Sequence, residues 1–179
     1  MTRVRATEVL RQWDKRGRYV FARNQLAKLF REDNAKTFTE GANRLVKSGI
    51  LVRACRGVYV NPHAQSFDSR TIERIALALR PGAYNYVSLE SMLSECGDIS
   101  QIPVDRLTVM STGRKGVYQT PYGVIEFTHT KRSVNDILAH IKSVDGRPLR
   151  IASRAMAWRD LKRVGRNAGT VDAETLTHG

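Results

Sequence analysis

Along the first sixty residues, apolar positions recur first at helical spacing, then at strand spacing, and then repeat that alternation. Val4, Val9, Leu10 and Trp13 fall on one side of a predicted helix over residues 2–15, and Gly17 stops it. Tyr19-Val20-Phe21 is a short β-prone run. Residues 23–30 return to helical spacing, with Leu26, Leu29 and Phe30 together. Arg31-Glu32-Asp33-Asn34 is a polar turn. Asn34 can cap a third helix that runs to Ser48 and ends at Gly49, and Thr37 with Glu40 offers a second start three residues later. Ile50-Leu51-Val52 and Val58-Tyr59-Val60 then read as two strands joined by Arg53-Ala54-Cys55-Arg56-Gly57, a basic turn in which Gly57 supplies the permissive backbone.

Stepping the third helix at about 100° per residue gathers Phe38, Ala42, Leu45 and Val46 into one apolar stripe. Lys36, Thr37, Glu40, Asn43, Arg44 and Lys47 fall on the far side. Cations, Asn, Thr and Glu are the side chains that reach base edges and phosphates in a major groove. The order helix, short strand, helix, turn, helix, basic hairpin is that of a winged helix-turn-helix. That fold reads DNA with its third helix and clamps phosphate with its wing. The expected DNA-contacting residues are Arg23, at the start of the second helix, then Lys36, Thr37, Glu40, Asn43, Arg44 and Lys47, with Arg53 and Arg56 in the wing.

The remaining pattern predicts an α+β region. Residues 71–79 place Ile72, Ile75, Ala76 and Leu79 at helical spacing before Pro81-Gly82, and Ser88 can cap a short helix to residue 95. Residues 107–110, 116–119 and 124–128 read as strands of an antiparallel sheet. Ser133 can cap a helix through residue 141, and Pro148 precedes a last helix to about residue 164 with Trp158, Leu161 and Val164 on one side. Arg159, Lys162, Arg163 and Arg166 crowd another side as a second basic patch, read either as a solvated face or as a contact with nucleic acid or a protein. The expected fold class is therefore α+β. Residues 1–66 form the winged-helix domain, residues 67–166 a mixed α+β domain with an antiparallel sheet, and residues 167–179 a disordered tail.

Charge sharpens this picture. The 179 residues carry a net charge of +13, and residues 1–66 hold 14 Lys and Arg against 5 Asp and Glu, a net +9. Such a field attracts polyanions, nucleic acid first. No stretch approaches the roughly 20 apolar residues of a membrane span, and the N-terminus lacks the apolar core of a signal peptide. A cytoplasmic protein without a membrane partner is expected. Cys55 and Cys96 read as free thiols, and His63, His129, His140 and His178 form no metal-binding spacing, so neither metal nor cofactor is expected.

Catalytic motifs are missing from the sequence. Gly113-Arg114-Lys115-Gly116 is too short for a phosphate-binding loop and lacks the following Ser or Thr. A nuclease reading begins from Asp105 and Glu126, but position 128 is Thr where such a site wants Lys. No Gly-x-Ser-x-Gly elbow occurs, and His129 has no catalytic neighbour in sequence. A non-enzymatic DNA binder leads. A nucleic-acid-processing enzyme targeted by its winged helix is the alternative. An RNA-binding regulator is weakened by an aromatic content of only 7 %.

The run Ala42-Asn43-Arg44-Leu45-Val46-Lys47-Ser48-Gly49-Ile50-Leu51-Val52-Arg53, followed by Arg56-Gly57-Val58-Tyr59-Val60-Asn61-Pro62, resembles the N-terminal winged helix of the AbiEi-type antitoxins. Their pattern is approximately R-L-x-x-x-G-x-L-x-R, then R-G-x-Y, then Pro. A looser likeness continues through Arg80-Pro81, residues 86–93, Gly97, Pro103 and residues 123–129. The resemblance implies the transcriptional-regulator half of a bacterial type IV toxin–antitoxin, or abortive-infection, system. It implies binding to repeats in the protein's own promoter, repression there, and neutralisation of a nucleotidyltransferase-like toxin without need of a stable complex.

Overall fold

A computed structural model describes residues 1–99 and 105–165. The chain divides into two compact units, Met1–Leu79 and the residues from Arg80 onward.

The first unit runs α1 (Arg3–Asp14), β1 (Val20–Ala22), α2 (Arg23–Leu29), α3 (Ala35–Lys47), β2 (Val52–Cys55), β3 (Val58–Val60) and α4 (Thr71–Leu79). Its three strands form an antiparallel sheet in the order β1-β3-β2, with Val60 opposite both Val20 and Val52. The order helix, short strand, helix, helix, hairpin is the one expected from the sequence. Most apolar positions of the three predicted helices converge into one core, Ala6, Val9 and Leu10 from α1, Leu26 from α2 with Phe30 just after it, and Phe38, Ala42 and Leu45 from α3, whereas Val4, expected on the α1 stripe, is 79 % exposed. Phe21, Leu51 and Tyr59 close that core from the sheet side. At roughly 25 cal/mol per Å² of apolar surface removed from water, such a core is the main stabilising term of so small a unit.

The hairpin departs from expectation by two residues. Ile50 and Leu51 precede the strand, and β2 begins at Val52. The backbone N–H groups of both Ile50 and Leu51 bond to the Leu45 carbonyl, at 3.0 and 3.2 Å, so they finish the α3 C-terminus instead of entering the sheet. Arg53 therefore sits in the strand opposite Tyr59, and Arg56-Gly57 alone form the loop between the paired Cys55 and Val58. Gly57 has φ +83°, the left-handed conformation a two-residue hairpin loop requires.

The expected boundary at Ser66 is corrected by α4. This helix packs on β1 and β3, and the segment leading into it is tied to β1's flank by Tyr19. The Tyr19 hydroxyl lies 2.9 Å from both Asp68 Oδ1 and Thr71 Oγ1, Arg74 donates to Asp68 at 3.0 Å, and the Arg74 guanidinium stacks on the Tyr19 ring. Pro62 and the polar residues after it read as a linker, but the apolar face of residues 71–79 belongs to the first unit's sheet.

The second unit runs β4 (Asn85–Val87), α5 (Leu89–Glu95), β5 (Arg106–Ser111), β6 (Gly116–Thr120), β7 (Gly123–His129), α6 (Val134–His140), β8 (Ile141–Lys142), β9 (Arg150–Ala152) and α7 (Arg154–Val164). Its six strands are ordered β6-β7-β5-β4-β9-β8. The sheet is mixed where a wholly antiparallel one was expected, because β5 pairs parallel with β7 and β4 parallel with β9. The three expected strands are present as β5, β6 and β7. The short strands β4, β8 and β9 were not predicted. β9 occupies residues placed after Pro148 in the last helix, which begins instead at Arg154 with Ser153 as its cap. Helices α5 and α7 pack against each other, and α5 lies on β5.

Candidate nucleic-acid interface

The α3 helix starts at the first of its two predicted caps. Asn34 Oδ1 accepts the Thr37 N–H at 2.9 Å, and Gly49, at φ +72°, closes the other end. Phe38, Gly41, Ala42 and Leu45 are buried, which fixes the rotation of the helix about its axis. Lys36, Glu40, Asn43, Arg44 and Lys47 are consequently exposed on one side, with Thr37 half-buried at its edge.

No ion pair among the described residues engages any of these side chains, or Arg53 or Arg56, which are also exposed. An exposed cationic face without acidic partners keeps its full charge for an external anion. Glu40 is the one acid on this face. It can accept from a cytosine amino group or hold a neighbouring cation in place.

Two contacts organise the surroundings. The Arg23 N–H donates to the Gly57 carbonyl at 2.7 Å, which ties the start of α2 to the tip of the hairpin. The Arg23 guanidinium lies over the Phe38 ring and donates to Thr39 Oγ1 at 3.0 Å. Arg23 is thereby held beside the first turns of α3. Thr39, exposed on α3 and bonded to Arg23, was not among the expected residues. Arg44 makes one long hydrogen bond to the Met1 carbonyl, at 3.4 Å, and is otherwise exposed.

Cys55 and Cys96 are free thiols. Burial pushes the Cys55 thiol above its ordinary range, against an opposing pull from Arg53. The hairpin sulfur is therefore held in its neutral, unreactive form.

The expected basic patch on α7 is partly described. Arg159, Lys162 and Arg163 are exposed, and Lys162 Nζ lies 4.8 Å from the Trp158 ring centre. Arg166 lies outside the described residues. The buried side of α7 is Met156, Ala157, Asp160 and Leu161, with Trp158 and Val164 only half-buried. The stripe expected through Trp158 is rotated because Asp160, a charged residue, is fully buried. It accepts from Ser88 Oγ at 2.8 Å, from the Tyr86 hydroxyl at 3.3 Å and from Arg132 Nε and Nη2, both at 3.1 Å. Four donors on one carboxylate offset the desolvation cost of its charge. Burial, followed by the Asp160 charge, holds the Tyr86 hydroxyl well above its usual range and so protonated as a donor.

Two of the residues considered for catalysis, Glu126 and His129, have structural partners. Glu126 pairs with Arg106 at 2.6 Å, and His129 Nδ1 bonds the Gly113 carbonyl at 2.8 Å. No group of three or more His, Cys, Asp or Glu side chains among the described residues is placed to hold a metal ion. No helix among them is long and apolar enough to cross a membrane.

The crystal structure of the RV2827C protein from Mycobacterium tuberculosis has a similar fold, with a TM-score of 0.51 at 15 % identity over 78 % of this chain. This chain spans about half of that one, 50 %. No curated protein matches the sequence. Residues 8–62 hold the second half of α1 and every element through β3. They match the family described as "Transcriptional regulator, AbiEi antitoxin".

Proposed function

We propose that this protein is a DNA-binding repressor and the antitoxin of a type IV toxin–antitoxin, or abortive-infection, system. The observation that carries the reading is the exposed face of α3, held outward by its buried stripe within a domain of an antitoxin-regulator family. In this reading α3 enters the major groove of double-stranded promoter repeats. Asn43 and Arg44 meet base edges, with Lys36, Thr37, Glu40 and Lys47 around them. Arg23, Arg53 and Arg56 hold the phosphate backbone from α2 and the hairpin. The protein represses its own promoter and neutralises a nucleotidyltransferase-like toxin without requiring a stable complex. Promoter reading belongs to the first unit, while neutralisation requires the second.

The test combines two assays on the full chain. Anisotropy with DNA from upstream of its own coding sequence should show tight binding that a scrambled duplex does not. Co-expression should rescue cells from a nucleotidyltransferase-like protein encoded beside it. Charge reversal of Arg159, Lys162 and Arg163 then assigns the α7 patch. Loss of rescue with promoter binding intact places it in neutralisation, and loss of promoter binding makes it a second DNA contact. Equal affinity for promoter and scrambled DNA, together with no rescue by the wild-type chain, would overturn the proposal.

A further inference from the structure

Gly41 lies in the middle of α3 and is buried, and its backbone is helical, without the positive φ that requires glycine elsewhere in the chain. Glycine is a poor residue for a helix interior, where alanine is the better helix former. A neighbour explains its presence. A Cβ at position 41 would stand 2.6 Å from Met1 Cε and 3.2 Å from Met1 Cβ, inside the roughly 3.5–4.0 Å at which carbon atoms pack. The missing side chain is the seat of Met1.

Met1 is held in that seat at three points. Its side chain is half-buried and packs against the core of the first unit. Its nitrogen donates to Asp33 Oδ1 at 2.9 Å, and the Asp33 side chain is only 8 % exposed. The other Asp33 oxygen is buried without a hydrogen-bond partner among the described residues, so Met1 supplies the hydrogen bond of that side chain. Asp33 directly precedes the Asn34 cap, which ties Met1 to the start of α3 as well as to its middle. The Met1 carbonyl is the third point. It accepts from Arg44 Nη2 at 3.4 Å, and the same nitrogen would lie 3.8 Å from a Cβ at position 41. The Arg44 guanidinium thus folds back over the turn that Gly41 leaves open, alongside Met1. Among the described residues the Arg44 side chain has no other hydrogen-bond or ion-pair partner. An exposed arginine left to itself spreads over many rotamers, and ordering it on binding costs affinity. A carbonyl beside it narrows that spread before DNA arrives.

We infer that Met1 is a positioning residue for DNA recognition: seated in the notch at Gly41, it restricts Arg44 to the orientation in which that side chain meets its base. The inference rests on the reading of α3 as the DNA reader.

Two measurements on the full chain test it. The first follows the ε-methyl NMR signals of the four methionines in isotope-labelled protein without DNA. Replacing Met92, Met110 or Met156 with Leu assigns them. The Met1 methyl should stand apart from the position of free methionine and move to it in Gly41→Ala, while the other three stay in place. The second is an anisotropy titration of promoter DNA and its single-base variants with Gly41→Ala, Arg44→Ala and the double variant. Gly41→Ala should weaken promoter binding about two- to ten-fold, the cost of ordering one rotamer-rich side chain at an interface. It should relax the preference at the same base position as Arg44→Ala. The double variant should bind no more weakly than Arg44→Ala alone, because Gly41 acts through Arg44. The proposal is overturned if the Met1 methyl is absent, or stays in place in Gly41→Ala. It is equally overturned if the loss in Gly41→Ala adds to that of Arg44→Ala or falls on no particular base. A wild-type chain that binds promoter and scrambled DNA equally overturns the reading of α3 and this proposal with it, and the wild-type titration alone shows that outcome.

Discussion

Asn43 and Arg44 stand side by side on the exposed face of α3, two residues whose side chains form bidentate contacts with adenine and guanine. Asn43→Ala or Arg44→Ala should lower affinity for the operator by about 1–3 kcal/mol and relax the preference at one base position. An anisotropy titration against a panel of single-base operator variants measures both effects. Unchanged affinity and unchanged preference in both variants would remove α3 as the reader. A second prediction at this scale concerns Asp68. Burial pushes its pKa up, but hydrogen bonds from Arg74, the Tyr19 hydroxyl and the Arg70 N–H outweigh it and hold the carboxyl below its usual range. A carboxyl whose value is depressed in the folded state stabilises fully above its unfolded value of about 3.9. That stabilisation is lost as pH falls through the lower, folded value. Asp68→Asn should therefore unfold more readily than wild type at neutral pH, and the difference should shrink as melting is followed into acid below about pH 4. A difference that stays constant with pH would show that the Asp68 charge does not contribute. Exposure at this scale was legible early: each expected member of the α3 face is exposed or half-buried, because helical periodicity and one good cap suffice to sort the sides of a helix. Asp160 was not legible. Its burial depends on Ser88, Tyr86 and Arg132, the farthest of them 74 residues away in the chain, and no local pattern reports such partners.

At the scale of elements, the hairpin differs from α3 in what it offers DNA. Arg53 projects from the strand and Arg56 from a two-residue loop, both exposed. A wing of this kind meets phosphate, so its charges supply affinity more than sequence choice. Replacing both with Ala should weaken specific and non-specific duplexes about equally. It should also flatten the slope of log affinity against log salt by up to about 2 units. A double variant that retains the wild-type slope would show that the hairpin does not reach the backbone. The hairpin was predicted with its strands shifted toward Ile50. An apolar triplet before a basic stretch looks like a strand, but Ile50 and Leu51 bond to the Leu45 carbonyl and belong to the helix terminus. In the second unit the missed strands are two or three residues long. All three residues of β4 are buried. A run so short and so buried has no alternation for a sequence reading to detect.

At the scale of the whole molecule, the first unit extends past residue 66 to Leu79. A fragment ending at Leu79 keeps α4 on β1 and β3 and keeps the Tyr19–Asp68–Arg74 cluster. It should fold and bind promoter DNA, more weakly than the full chain. A fragment ending at Ser66 loses those contacts and uncovers the apolar surface beneath α4, and it should melt at a clearly lower temperature or fail to fold. Circular dichroism melts of the two fragments, followed by anisotropy on whichever folds, check this. Equal stability of both would return the boundary to Ser66. The sequence by itself determined the α+β class, the order of the first six elements, the basic first unit, the sides of α3 and the likeness to an antitoxin regulator. These rest on local periodicity, capping and charge, which act over a few residues. Only the tertiary structure decided that α4 joins the first unit, that the six-stranded sheet mixes parallel with antiparallel pairs, and that Asp160 is buried. Each of these depends on which surfaces meet across long stretches of chain, and burial and hydrogen-bond satisfaction settle that only when the whole fold closes.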